Sequence, residues 1–216
     1  MPHPKFETPS IQTGFKTWNH KSWVRIPMYN LIDEFVQKNL SGSGTVLELG
    51  GSEGTLKAIC ESAGYTVEVA PNFPEVDIQH LPYANDMFDG ILLDQVLEHT
   101  KRPWEAVKEL YRVLREDGFV IATTPLIWQY HAKKGWGDYW RFTPDGLAEL
   151  FQGFDVLMCA GWGNADAIRT MYDGQYITSI WNTPLEIGEE RGILKENDGL
   201  NLLTTWIIVR KKSNHF

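Results

Sequence analysis

The run Val46-Leu47-Glu48-Leu49-Gly50-Gly51-Ser52-Glu53-Gly54 constrains the fold of this chain more than any other stretch. Residues 45–49 are apolar enough for a buried strand. The glycines then demand a tight turn, and residues 55–63 carry Leu56, Ile59 and Cys60 at helical spacing. Strand, glycine-rich turn and helix form the unit that binds nucleotide-like ligands outside the carboxyl ends of parallel strands. Small residues let the backbone approach a ligand, and the start of the next helix offers unpaired N–H groups. The spacing is not the GxGxxG of a nicotinamide-dependent oxidoreductase, and no lysine follows as a phosphate loop requires. Glu48, two residues before the glycines, suits a ligand with an ammonium group better than one with a pyrophosphate.

The rest of the chain repeats the alternation. Apolar residues at Leu31, Ile32, Phe35, Val36 and Leu40 predict a helix from Met28, with Pro27 in its first turn and Ser41-Gly42-Ser43-Gly44 ending it. Residues 66–70 read as a second strand. Pro71, Pro74 and Pro82 then exclude a helix before the third apolar run at 90–93. Residues 103–115 give the clearest amphipathic pattern, and Asp117-Gly118 turns into a strand at 119–123. A long aromatic loop follows at 124–142. Thr143-Pro144-Asp145 is an N-cap, first-turn proline and acidic start for a helix ending near Phe151. Two more strands are expected at 155–159 and 204–210. Strands alternating with helices imply an α/β domain built on a mainly parallel sheet, covered on both faces.

Composition narrows the partners. With 216 residues and 43% hydrophobic content, one buried core is expected. The formal net charge is −8, and the short run Arg210-Lys211-Lys212 is the densest basic cluster, which disfavours a nucleic-acid backbone as partner. No apolar run is long enough to cross a bilayer, and the first ten residues lack a signal-peptide pattern. Cys60 and Cys159 stand far apart without metal-ligand spacing, so a reducing, cytoplasmic setting is expected. The histidines and carboxylates likewise fall at no familiar ligand spacing, so no metal is expected.

Several segments resemble a known family. Glu48 to Gly54 resembles the (D/E)xGxGxG signature of class I S-adenosylmethionine (SAM)-dependent methyltransferases. Asp77-Ile78-Gln79-His80-Leu81-Pro82-Tyr83 with Phe88-Asp89 looks like their "D…LPF…FD" stretch. Gln95-Val96-Leu97-Glu98-His99 resembles "VLEH", and Glu109 to Leu114 resembles "E..RVL". Residues 119–125 match the strand that closes the core. Asp138-Tyr139-Trp140-Arg141-Phe142-Thr143 is similar to a "DYWRFT" segment of small bacterial type-11-like methyltransferases. The similarity covers about residues 44–155.

This resemblance implies a Rossmann-like, seven-stranded methyltransferase fold as a single domain. Residues 1–43 would be an N-terminal helical or lid segment, 44–159 the SAM-binding core, 160–203 an insertion or acceptor-side segment, and 204–216 the last strand and tail. It also implies transfer of a methyl group from SAM to a hydroxyl, amine or carboxylate of a small or medium-sized acceptor, or a glycan- or lipid-linked one, releasing S-adenosylhomocysteine. Glu48, Gly50, Gly51, Ser52 and Gly54 would wrap the methionine part of SAM. Asp77 and Ile78 would stand at the adenine, and Asp94 and Gln95 would flank the sulfonium. Glu98 and His99 would hold helix and loop in place.

The pattern departs from the family at two positions. Ser52 replaces a glycine. The acidic residue expected at the end of the second strand, where the ribose is held, is replaced by Ala70, with Glu68 and Asn72 as substitutes nearby. A catalytically silent fold serving as a binding or scaffold subunit is the alternative that these departures raise. On the acceptor side, His131 is the candidate general base, with Asp138, Tyr139 and Arg141 in the same loop and Trp18 and Trp23 from the N-terminal segment. Packing alone is the competing role for the Tyr139-Trp140-Arg141 run. The segments at 1–26 and 160–203, with Trp162, Tyr172 and Trp181, are either an acceptor wall or a contact between two copies.

Overall fold

The computed structural model describes residues 23–50, 54–133, 135–172 and 193–212. A 3₁₀ turn at Trp23–Arg25 leads into α1 (Ile26–Asn39), which has Pro27 in its first turn and its last buried apolar residue at Val36. Then follow β1 (Thr45–Leu49), α2 (Thr55–Ser62), β2 (Thr66–Val69), β3 (Phe88–Asp94) and a 3₁₀ turn at Leu97–His99. The second half comprises α3 (Pro103–Val113), β4 (Leu114–Pro125), α4 (Pro144–Leu150), β5 (Phe154–Trp162), α5 (Ala165–Tyr172), a 3₁₀ turn at Ile193–Lys195 and β6 (Thr204–Lys211). The strands form one sheet in the order β2-β1-β3-β4-β6-β5. Strands β1 to β4 pair in parallel, whereas β6 runs antiparallel to both β4 and β5.

The described residues hold six strands, not the seven expected. Prolines explain the difference. A further parallel strand beyond β2 needs a crossover, and Pro71, Pro74 and Pro82 leave no helix between β2 and β3 to make one. The turn expected at Asp117-Gly118 lies inside β4: the ladder pairs Phe88 with Leu114 and Gly90 with Phe119, so residues 115–118 loop out, with Asp117 at φ 60°. The cap predicted at Thr143 is present, its hydroxyl accepting from the Gly146 N–H at 3.0 Å. Helix α5 falls within 160–203, the stretch expected to be an insertion or acceptor-side segment.

Side-chain alternation sorts the core into two layers. Val46, Leu92, Phe119, Ile121, Trp206 and Ile208 point to one face, where Tyr29, Ile32 and Val36 of α1 and Leu56 and Ile59 of α2 cover them. Leu47, Leu49, Ile91, Leu93, Val120, Ala122, Ile207 and Val209 point to the other, beneath α3 and α4. Polar contacts tie the layers to the sheet. Asp89 accepts from the Thr45 N–H at 2.8 Å and pairs with Arg115, joining the starts of β1, β3 and β4. Glu109 of α3 accepts from the Leu81 N–H at 2.8 Å, while Arg112 donates to the carbonyls of Leu81 and Tyr83. The "FD", "LPY" and "E..RVL" pieces of the sequence thus act as fasteners of the fold.

The tightest joint in the sheet is Gly90. A Cβ there would meet the buried Phe119 ring at 2.5–2.8 Å, inside contact distance. Gly90→Ala is expected to destabilise the protein by about 1–3 kcal/mol, the usual cost of overpacking. The check is a lowered urea midpoint at unchanged m-value, with partial recovery in the double variant Gly90→Ala/Phe119→Leu.

Candidate functional site

The same alternation that sorts the core builds the site. Glu48 has the parity of Val46, Asp94 that of Leu92, and Thr123 that of Ile121, so all three face α1 at the carboxyl ends of adjacent strands. Asp94 is nearly buried, and both its oxygens accept from the Tyr29 hydroxyl, at 2.8 and 3.0 Å. The Thr123 hydroxyl donates to it at 2.6 Å. Helix α1 therefore locks the orientation of a carboxylate at the tip of β3.

Glu48 is 1% exposed, and its Oε1 has no hydrogen-bond partner among the described residues. Burial pushes its carboxyl pKa up, and the neighbouring Asp94 charge pushes it in the same direction. A buried, unpartnered acid beside a second acid is a poor structural element and a good cation site. Directly after it, Gly50 takes φ 70°, and a Cβ there would sit 2.7 Å from Val96. Gly54 takes φ 69° as the N-cap of α2. Only glycine adopts these turns without strain, so the backbone passes close to whatever lies over Glu48. Gly51 and Ser52 lie outside the described residues.

Gln95 follows Asp94 in a left-handed conformation, φ 58°, held by its N–H to the Thr123 carbonyl at 3.1 Å. Its side-chain Nε2 donates to Thr123 Oγ1, while its Oε1 is buried without a partner among the described residues. Asp77 and Ile78 are half-buried at a short turn, where Asp77 accepts from the Gln79 N–H at 2.9 Å. Gln79 in turn accepts from the Arg102 N–H, which ties this turn to the start of α3. Ala70 is buried at the end of β2, and its N–H donates to the Glu48 carbonyl at 2.9 Å; Glu68 and Asn72 are exposed.

The aromatic loop wraps around the turn that follows β3. The Glu98 carbonyl accepts from the N–H groups of Tyr139 and Trp140, and His99 Nδ1 donates to the Gly137 carbonyl at 2.6 Å. His131 Nδ1 lies 3.0 Å from the Gln129 carbonyl and 3.1 Å from Asp138 Oδ2. A carbonyl only accepts, so this nitrogen carries the proton and Nε2 keeps its lone pair. Asp138 also accepts from the His131 N–H at 2.9 Å and from both terminal nitrogens of Arg141.

Charge follows this geometry. Hydrogen bonding by Arg141 holds the Asp138 carboxyl down at about 2. Burial lowers the His131 imidazole and takes His99 down to about 4, so both rings are neutral near pH 7. Burial pushes Glu98 up to about 8. Tyr139 and Trp140 reach solvent, and Trp140 packs edge-on to Trp104 while donating its indole N–H to the Thr100 carbonyl. Trp18 and Trp181 lie outside the described residues, as does the Trp23 side chain. One hollow, lined by Ser41, Tyr65, Asp89 and Arg210, opens at the amino ends of the parallel strands. Ligand chemistry in such sheets belongs at the opposite edge, where Glu48 and Asp94 stand.

Sequence reasoning singled out each of these residues but not their neighbours. Tyr29 and Thr123 gave no local signal, because their role exists only once α1 lies across β3 and β4. The gathering of Glu98, His99 and His131 also escaped notice, since more than thirty residues separate the first two from the third.

Comparison with known proteins agrees with this geometry. Residues 36–122 match the family model described as a methyltransferase domain. A demethylmenaquinone methyltransferase of Lactobacillus johnsonii is 29% identical over 115 residues, 50% of this chain and 45% of that protein. The chain thus matches less than half the length of this curated relative. Among solved structures, the 1,6-didemethyltoxoflavin-N1-methyltransferase of Burkholderia thailandensis, with its acceptor and S-adenosylhomocysteine bound, superposes with a TM-score of 0.56 at 16% identity, covering 92% of this chain and 82% of that one. A SAM-dependent methyltransferase of Archaeoglobus fulgidus gives 0.53 at 14% identity, covering 85% and 94%. The fold is that of the Rossmann-like methyltransferases. Over residues 36–122 the sequence is thus similar to that of a methyltransferase domain.

The Asp138–Arg141 clamp has a measurable consequence. A carboxyl held at about 2 against an ordinary 3.8 stabilises the fold by on the order of 2 kcal/mol, fully present above pH 4 and lost as pH falls toward 2. Asp138→Asn is expected to cost about that much at pH 7. Denaturant titrations should show its deficit against the parent protein shrinking as pH is lowered from 4 to 3.

Proposed function

We propose that this protein transfers a methyl group from SAM to a hydroxyl, amine or carboxylate of a small or medium-sized acceptor by direct displacement. The observation that carries the reading is the buried carboxylate of Glu48, with an unpartnered oxygen, beside Asp94 at the carboxyl edge of the central strands. SAM, when bound, supplies the methyl on a sulfonium that leaves as neutral S-adenosylhomocysteine.

Glu48 binds the amino group, and the left-handed Gly50 brings its own backbone alongside. Asp94 presents negative charge toward the sulfonium and is kept in place by Tyr29 and Thr123. Gln95 flanks the same position, and Asp77 with Ile78 forms the wall for the adenine. The loop over residues 126–142 closes the acceptor side. There His131, neutral and oriented by Asp138, offers a lone pair to the proton of an acceptor hydroxyl or ammonium. Arg141 sets Asp138, and Tyr139 lines the outer rim. In-line placement supplies most of the rate advantage, because a sulfonium is already a good leaving group.

The bound acceptor of the Burkholderia protein, a small heterocycle, supports a small-molecule acceptor here. The demethylmenaquinone relative adds a lipophilic ring as another candidate class. The net charge of −8 speaks against a nucleic acid.

Calorimetry with SAM and S-adenosylhomocysteine tests the reading. Binding is expected, weakened about 10- to 100-fold in Glu48→Gln, the value of one charge-assisted hydrogen bond. Affinity should also fall as pH drops through the raised pKa of Glu48, because the protonated acid has no charge to offer. Failure of a well-folded protein to bind either ligand would replace the enzyme with a scaffold, for which the buried Ala70 in place of a ribose-binding acid is the pointer. For His131, turnover of His131→Ala on the true acceptor at near-parental rate and unchanged pH profile would remove it from the mechanism.

A further inference from the structure

Outside the cofactor cradle, one cluster has no structural reason to exist. Glu98 is completely buried, and neither of its carboxylate oxygens has a hydrogen-bond partner among the described residues. An acid so placed is unfavourable unless something satisfies it. Two imidazoles stand beside it. His99 Nε2 lies 3.8 Å from Glu98 Oε1, and the rings of His99 and His131 meet edge-on at 4.7 Å. One nitrogen from each ring and one oxygen of Glu98 all lie within 4.8 Å of one another.

Both imidazoles are prepared as ligands. His99 donates from Nδ1 to the Gly137 carbonyl, and His131 donates from Nδ1 toward the Gln129 carbonyl and the Asp138 carboxylate. Each bond fixes the ring plane and leaves Nε2 with its lone pair. An imidazole held from behind by a carbonyl or carboxylate is the usual support of a metal-bound histidine. We propose that Glu98, His99 and His131 form a two-histidine, one-carboxylate site for a divalent transition ion of the zinc or ferrous type.

The donor set selects the ion. Two imidazoles favour borderline metals over magnesium or calcium, which prefer oxygen. Three protein ligands leave at least one coordination position open, the mark of a metal that meets a substrate or water. Ligand atoms around one ion at bond lengths near 2.1 Å are at most about 4.2 Å apart, so the cluster closes by roughly half an ångström on binding. The surrounding field is mixed. Arg25 and Arg141 oppose a cation, but Arg141 is already neutralised by Asp138, and Asp94 adds negative charge on the side of the cofactor cradle. The carboxylate supplied by Glu98 carries the charge the ion needs.

The site deepens the methyl-transfer reading and, in its role, rests on it. A metal beside Asp94 holds an acceptor oxygen facing the cofactor and makes it easier to deprotonate. In the loaded protein the His131 lone pair belongs to the ion, so the proton of the acceptor, made more acidic by the metal, leaves to solvent water rather than to the imidazole. Acceptors with a hydroxyl next to a second oxygen or nitrogen fit such an open site best.

Metal binding is measurable without turnover. Protein stripped with a chelator and dialysed should take up one equivalent of Co²⁺, with the visible absorption of a nitrogen–oxygen site, and Zn²⁺ should displace it. Excess Mg²⁺ should not compete. His99→Ala, His131→Ala and the isosteric Glu98→Gln should each weaken Co²⁺ by more than tenfold, and Asp138→Asn about 10- to 100-fold through its hold on His131. Unchanged circular dichroism and unchanged SAM binding show that these variants are folded. Absence of Co²⁺ uptake by the folded parent protein overturns the proposal, as does uptake that the three ligand variants leave unchanged or that Mg²⁺ abolishes. Co²⁺ uptake by a protein that does not bind SAM would keep the metal site and discard the methyl transfer.

Discussion

The site of this protein depends on the pleat of a parallel sheet. Because side chains alternate, the residue that follows Leu47 on β1, the residue that ends β3 and the residue two past Ile121 on β4 all face α1. They are Glu48, Asp94 and Thr123. Three polar groups emerge where the carboxyl ends of the strands leave the apolar layer, and α1 lies over them with Tyr29 as the donor. A one-residue slip of any strand would send its polar group into the opposite apolar layer beneath α3 and α4. Register, core and the placing of these three polar groups are therefore one constraint expressed three ways.

Around that cradle the molecule tolerates electrostatic cost. Glu48, Gln95 and Glu98 each keep a buried oxygen without a partner among the described residues, and all lie on β1 or in the segment just past β3. Asp89, by contrast, is satisfied by Thr45 and Arg115, and Glu109 by Leu81 and Arg112. Buried acids without partners at the carboxyl edge of a parallel sheet are a common mark of functional sites.

The loop over residues 126–142 shows how an irregular segment is made definite. Among the described residues it has no ladder of its own beyond the bridge between Lys133 and Trp136. Its position comes from backbone bonds to the Glu98 carbonyl, from His99 to Gly137, and from Asp138, which gathers His131 and Arg141. Glu98 and His99 therefore have two faces: their backbone and Nδ1 groups hold the loop, while the carboxylate and Nε2 point into the cluster with His131.

Much of this was legible in the chain itself. Apolar periodicity located α1, α3 and the central strands, and Thr143 announced its helix, because these signals are local and tertiary contacts do not override them. The glycines after Glu48 pointed to a tight turn, and Gly50 and Gly54 take left-handed conformations that only glycine adopts freely. The number of strands was less secure, since a family pattern predicts seven and three prolines removed the crossover that another would need. What only the tertiary structure decided was which distant residues meet: Tyr29 with Asp94, Asp138 with His131, Glu98 and His99 with His131. Those contacts join residues 7 to 65 positions apart. No periodicity records them, because they are set by how helices and loops lie across the sheet rather than by the conformation of any segment alone.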